Sequence, residues 1–169
     1  MQATREMSHW PSIVGPLVLG AVLGLPWGGG AVLYEAAVLP SVLFGTVLLM
    51  FPALYIGATI LGVAPSAQIV VRAFSKGLSS TGALLLGFTP LCAFLLLTNT
   101  TDLLWAWMLG AGTLTVSLWI GLRTLQSEMF AQQEKSYLWW PLFWGWALVA
   151  LVIGERLFSQ TFSYLVTTA

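Results

Sequence analysis

The sequence predicts an all-α integral membrane protein, a polytopic helical bundle of about five transmembrane helices that forms a single domain over residues 1–169. Two observations predict this fold class. Of the 169 residues, 58% are hydrophobic and 7% are charged, whereas about 25% of the residues of a soluble domain are charged. Apolar stretches near the roughly 20 residues that a bilayer-spanning helix needs also recur between short polar segments. Because one soluble core could not bury this much apolar surface, a membrane must cover it.

The first two helices are predicted in a long apolar stretch near the N-terminus. Between residues 12 and 63 the only charged residue is Glu35, and the stretch is long enough for two spans. Its strongest helix breaker is PWGGG at residues 26–30. We therefore predict helix 1 at residues 11–33 and helix 2 at residues 37–62.

Three further helices follow, predicted at residues 81–97, 103–122 and 137–158. The polar turn TNTTD separates helices 3 and 4, and its last residue, Asp102, suits a helix N-cap. The most polar stretch of the chain, residues 123–136, separates helices 4 and 5.

The distribution of basic residues predicts the orientation of the bundle. Five spans place five of the six basic residues on the side of the N-terminus and only Arg156 on the other side: Arg5, Arg72, Lys76, Arg123 and Lys135. Positive charge favours the cytoplasmic side. We therefore expect a cytoplasmic N-terminus, a C-terminus outside and a location in a bacterial cytoplasmic (inner) membrane.

Residues 66–79 form a short amphipathic segment on the predicted cytoplasmic side. On a helix, one face is polar (Gln68, Arg72, Ser75, Lys76, Ser79) and the opposite face is apolar (Val70, Val71, Phe74, Leu78). An interfacial helix with Arg72 and Lys76 near anionic headgroups fits this pattern. A polar cytoplasmic extension of helix 3 fits it equally well.

No constellation in the sequence indicates catalysis or a metal. The single histidine, His9, lies in the N-terminal tail, and the single cysteine, Cys92, lies in an apolar run. We therefore expect no enzymatic activity and no cofactor other than a bound lipid. The formal net charge of zero indicates no nucleic-acid partner.

Four charged residues fall near the predicted outer ends of helices: Glu35, Asp102, Glu155 and Arg156. Interfacial anchoring is one interpretation of this polar outer cluster. The other is an outward-facing polar site in which residues of helix 5 pair with Glu35 or Asp102.

Helix 4 carries a stripe of small residues at steps of four, three, four and four: Ala106, Gly110, Thr113, Ser117 and Gly121. Gly20 and Gly24 make a shorter pair of the same kind in helix 1. Such stripes let another helix approach closely, within the bundle or in a partner chain.

Helix 5 begins with a tryptophan-rich stretch that contains Trp139, Trp140, Trp144 and Trp146. The first two suit the aromatic belt at the membrane surface. Trp144 and Trp146 project about 200° apart on a helix. At least one of them should therefore face lipid, a hydrophobic cofactor or a partner subunit.

Three segments carry a resemblance to a known family: SIVGPL at residues 12–17, FPALYIGATILG at residues 51–62 and LGFTPL at residues 86–91. Over about residues 12–125 the chain resembles bacterial members of the Yip/Yif-like superfamily of five-helix membrane proteins, with Ser12 where that family has an aspartate. The resemblance implies a five-span bundle with a cytoplasmic N-terminus. Eukaryotic relatives are non-enzymatic adaptors in vesicle traffic, and we carry over only the fold.

These features lead to one main functional hypothesis and two alternatives. The main hypothesis is a non-enzymatic scaffold or accessory subunit that binds and stabilises other integral membrane proteins in a hetero-complex, with membrane lipid as a second partner. The helix 4 stripe and the tryptophan-rich start of helix 5 are its expected contact surface. The alternatives are a small transporter or channel component with an outer polar mouth, and a membrane-shaping or trafficking adaptor.

Overall fold

A computed structural model of the chain describes residues 10–60, 66–98, 103–130 and 136–168, with side chains except at 50, 103, 130, 136–139 and 161–168. The described residues form α1 (Trp10–Gly24), a 3₁₀ turn (Leu25–Trp27), α2 (Gly29–Ile60), α3 (Ala67–Thr98), α4 (Leu103–Phe130) and α5 (Ser136–Thr168). Five stretches are long and apolar enough to cross a membrane by length and composition. The expected all-α protein with five membrane-crossing helices is confirmed at this level, whereas its orientation stays a prediction.

The boundary between the first two helices differs from the predicted one. α1 ends at Gly24 rather than at residue 33, and α2 begins at Gly29 rather than at residue 37. Gly28 lies between them with φ of 93°, a conformation that glycine adopts without the steric penalty of a side chain. The helix breaker PWGGG at residues 26–30 was correctly identified. The chain reverses within this segment, whereas the predicted boundary lay after it.

The remaining helices extend beyond their predicted apolar spans. α4 reaches Phe130 rather than residue 122, and α5 reaches Thr168 rather than residue 158. Polar residues end an apolar span without ending a helix.

Residues 67–79 are continuous with α3 and do not form a separate interfacial helix. The extension of helix 3 is therefore the correct one of the two interpretations. Val70 and Phe74 are buried as expected, whereas Val71 is 60% exposed. The inward face of this segment is completed instead by the small residues Ala73 and Gly77.

The helices pack in an order that differs from their order along the chain. α1 lies between α2 and α3 and contacts both extensively, α4 packs on the far side of α3, and α5 contacts α2 and, less extensively, α4. The core forms one cluster around Leu19, Leu39, Leu85 and Phe158, and a second around Phe143.

Glycines allow α1 to approach its two neighbours closely. A methyl group at Gly15 would overlap the backbone of α3 at Gly82, and one at Gly20 would overlap the backbone of α2 at Glu35. Gly24 meets Ala31 of α2 in the same way. The predicted Gly20–Gly24 pair is therefore a contact within the bundle.

Candidate functional site

A narrow cavity lies between α2, α3, α4 and α5, and α1 takes no part in its wall. The volume of this cavity is about 80 Å³. Along α4 the lining runs from Ala111 to Leu125, and along α5 from Trp146 to Phe158. At 1.5 Å of rise per residue, this makes a slot about 20 Å long.

Small residues keep the middle of this slot open. Ala150 and Gly154 of α5 line it, and neither carries a side chain large enough to fill it. Larger residues stand towards its ends. Phe158 lines one end, and the edge-to-face pair of Phe74 and Trp146, with ring centroids 6.1 Å apart, lines the other.

The polar side-chain groups in the wall are three threonine hydroxyls, one carboxylate and, at the far end, the indole N–H of Trp146. The hydroxyls of Thr46, Thr81 and Thr115 donate to backbone carbonyls of their own helices at 2.7, 3.0 and 2.7 Å. Their free lone pairs can therefore act only as acceptors. Glu155 is the only charged residue among the described residues of the wall; it is exposed and forms no ion pair there.

A second carboxylate lies near the cavity but not in its wall. Glu35 precedes the lining residue Leu39 by one turn on the inward face of α2 and is 1% exposed. Among the described residues, neither of its oxygens has a hydrogen-bond partner, and the buried hydroxyl of Ser117 has none either. Buried polar groups are normally hydrogen-bonded, so both require a physical explanation.

The predicted polar outer cluster does not form among the described residues. Gly154 lies beside Thr46 of α2, so Glu155 is roughly three turns, about 16 Å along α2, from Glu35. Arg156 is exposed and makes no ion pair with Glu35 or Glu155. The prediction is wrong for these three residues because α5 continues well past Glu155 and Glu35 points into the bundle. Asp102 lies outside the described residues.

The predicted stripe on α4 faces the interior of the bundle. Ala106, Gly110, Ser117 and Gly121 are buried and Thr113 is half-buried. A methyl group at Gly121 would overlap the Thr81 side chain of α3, and one at Gly110 would press on Phe158 of α5. The residues of the stripe therefore pack against α3 and α5 of the same chain, and a partner helix could not also contact them.

The two deep tryptophans contact different helices. Trp144 stacks on Trp119 of α4 with ring centroids 4.7 Å apart, and Trp146 packs on Phe74 of α3. They do face different neighbours, but each is half-buried against an aromatic ring of this chain. Trp140 is 59% exposed, and the side chain of Trp139 lies outside the described residues.

The two basic residues of the amphipathic segment have different environments. Lys76 Nζ lies 2.6 Å from Glu128 Oε1 and joins α3 to α4 by an ion pair that is 34% exposed on each side. Arg72 is exposed. Of the two predicted headgroup contacts, Arg72 is the one whose charge is not already paired within the described chain.

The cavity between α2, α3, α4 and α5 was not predicted from the sequence. Ala150 and Gly154 are four residues apart on α5, a small-xxx-small spacing that would have marked this helix as a second packing face. Among the described residues, no group of three or more histidine, cysteine or acidic side chains is placed to hold a metal ion.

No family model, curated protein or solved structure matches the chain. The resemblance to the Yip/Yif-like superfamily therefore stays a prediction.

Proposed function

We propose that this protein is an integral membrane protein that binds a ligand with one long apolar chain. The ligand comes from the bilayer, and its chain lies in the slot between α2, α3, α4 and α5. The observation that carries the proposal is the shape and lining of this slot. It is about 20 Å long, is lined mainly by aliphatic and aromatic side chains, and is kept open by Ala150 and Gly154. Ligand sites in proteins are typically apolar clefts with a few placed polar groups.

Packing supplies the physical reason for binding. Side chains that line an unfilled space lose dispersion contacts on one side. Lipid tails outside the bundle are as apolar as leucine, so transfer out of water does not drive occupancy. A ligand is therefore retained because it fits the slot, and a bulkier wall should exclude it.

Filling the slot tests this function. Ala150→Phe places a ring in the slot, and we expect at least a tenfold loss of any apolar molecule that co-purifies in stoichiometric amount. Native mass spectrometry after extraction in a mild detergent measures this. Ala83→Phe is the matched control, because Ala83 lies on the exposed face of α3 and its substitution should leave occupancy unchanged.

Two outcomes would contradict the proposal: wild-type protein that carries no apolar ligand in a lipid bilayer, or Ala150→Phe protein that carries as much as wild type. Ala111→Phe, in the opposing wall, repeats the test from α4. Unfolding temperatures of all variants separate loss of ligand from loss of fold.

The scaffold hypothesis remains as a second candidate, but on a different surface. Ala37, Ser41 and Gly45 follow one another at steps of four on the exposed face of α2. No atom lies within 4 Å of a methyl group built on Gly45, and the Ser41 hydroxyl already donates to the Ala37 carbonyl at 2.7 Å. Smooth faces of this kind accept a second transmembrane helix.

A bulky residue on this face tests the scaffold. If a partner membrane protein co-purifies with wild type, Gly45→Leu should lower the amount of that partner per copy of this protein at least tenfold. Gly112→Leu is the control, because Gly112 is also exposed and uncrowded but lies on α4. Equal co-purification of both variants would remove the α2 face from the hypothesis.

A further inference from the structure

We propose that the slot selects an amphiphile with a cationic, hydrogen-bond-donating head, such as a long-chain primary amine, and rejects anionic lipids of similar length. This inference rests on the proposed function, because it names the class of molecule that the slot would hold. In this arrangement the ammonium group lies against Glu155 and the chain lies between the helices.

Charge is the first argument. Glu155 is the only charged residue among the described residues of the wall, and it lies where the slot is exposed. An ammonium head there would meet an opposite charge that no described residue pairs. A carboxylate or phosphate head would meet a like charge at short range.

Hydrogen bonding is the second argument. Because Thr46, Thr81 and Thr115 donate their hydroxyl protons to their own helices, these side chains present only acceptor lone pairs to the slot. An ammonium group, which has three donors and no acceptor, complements such a wall. An anionic oxygen would find no hydroxyl donor among these threonines.

The neighbouring cation does not cancel this selectivity. Arg156 follows Glu155 by one residue, about 100° around the helix, and does not line the slot. Adjacent residues on a helix do not face each other. Lys76 is engaged by Glu128, and Arg72 does not line the slot.

The position of Glu155 along α5 also sets the direction of the chain. From Glu155 the slot runs about 13 Å to Trp146 but only about 4 Å to Phe158. A chain with its head at Glu155 therefore extends towards the end lined by Phe74 and Trp146. Its tip should lie near these two rings.

The test uses three photoreactive probes with the same chain and a diazirine at its tip, which differ only in the head: amine, alcohol or carboxylate. The full-length protein in nanodiscs of zwitterionic lipid is cross-linked with each probe, and peptide mass spectrometry maps the adducts. Adducts near Phe74 and Trp146 are divided by adducts on the lipid-facing residues Leu33 and Leu97, which are 76% and 75% exposed. This ratio corrects for unequal partitioning of the probes into the bilayer.

We expect the corrected yield of the amine to exceed that of the carboxylate at least tenfold, with the alcohol between them. Glu155→Gln should bring the amine to within about twofold of the alcohol. Arg156→Gln, the adjacent control outside the wall, should leave the order of the three probes unchanged.

The outcomes separate this inference from the function on which it rests. If no probe labels the slot residues above the lipid-facing ones, the proposed function fails and the inference fails with it. If all three probes label the slot equally, or if Glu155→Gln changes nothing, the function stands and only the selectivity is overturned. Preference for the carboxylate would overturn the selectivity directly.

Discussion

At the scale of single residues, two carboxylates on the long helices have opposite environments. Glu35 is 1% exposed, and its oxygens have no hydrogen-bond partner among the described residues, whereas Glu155 is exposed and lines the slot. The difference follows from helix faces. Ala31, Glu35, Leu39 and Leu43 form the buried stripe of α2, so Glu35 must point inward with its aliphatic neighbours.

An unpartnered buried carboxyl group destabilises the fold, so its removal should stabilise the protein. We expect Glu35→Met, which keeps an unbranched chain of similar length, to raise the free energy of unfolding by about 1–3 kcal/mol. Thermal unfolding in detergent measures this. Glu35→Gln keeps a polar group in the same place and should raise the free energy of unfolding by less. A lower unfolding temperature for Glu35→Met would show that the carboxyl group makes a contact on which the bundle depends.

At the scale of elements, glycine positions decide which helices touch. α1 meets α2 through Gly20 and Gly24 and meets α3 through Gly15, while α3 meets α4 at Gly77 and Gly121. Where α4 meets α5, by contrast, the contact is less extensive and the slot opens. The same residue type therefore closes one helix pair and leaves space in another, depending on whether a facing backbone is within reach.

A large residue at the α3–α4 contact should separate the two helices. Gly121→Leu would overlap Thr81 and crowd Gly77, and overpacking of this kind costs about 1–3 kcal/mol or more. Gly112→Leu lies on the exposed face of the same helix, with nothing within 4 Å, and should change stability by no more than about 0.5 kcal/mol. Similar unfolding temperatures for both variants would contradict the packing of α3 on α4.

At the scale of the whole molecule, the described chain is a bundle in which α1 fills the space between α2 and α3 and the other four helices enclose a slot. The tightly packed helices α1, α2 and α3 therefore lie beside the slot. In the proposed function, the packing of α1 on α2 and α3 holds two walls of the slot in place.

The orientation of the bundle is testable with single cysteines. Cys92 is the only cysteine and is buried, so Cys92→Ser provides a background without a thiol. In intact bacterial cells, a membrane-impermeant maleimide should label Gly29→Cys, at the exposed start of α2. It should label Ser66→Cys, just before α3, only after the membrane is opened. The reverse labelling pattern would place the N-terminus outside, and it would contradict the orientation predicted from the basic residues.

The sequence by itself determined the all-α class and the number of long helices, and it contained the helix breaker between α1 and α2, although the predicted boundary lay after that breaker. These follow from composition, from the length of apolar stretches and from PWGGG, and all three are local properties of the chain. It also identified the glycines of α1 and the stripe of α4 as packing surfaces, because a small-residue spacing is visible in one dimension. It did not locate the true ends of α4 and α5, since a helix continues through polar residues beyond an apolar span.

Only the tertiary structure decided which surfaces are used inside the chain and which space remains between them. The register of α5 against α2, set where Gly154 meets Thr46, separates Glu35 from Glu155 and places Glu155 beside the slot. The packing of α1 on α2 turns the Gly20–Gly24 pair inward, and the packing of α4 on α3 and α5 turns the α4 stripe inward. A cavity has no residue of its own. It exists because side chains from four separate helices fail to fill a common space, and that property depends on distances between helices that no single stretch of sequence contains.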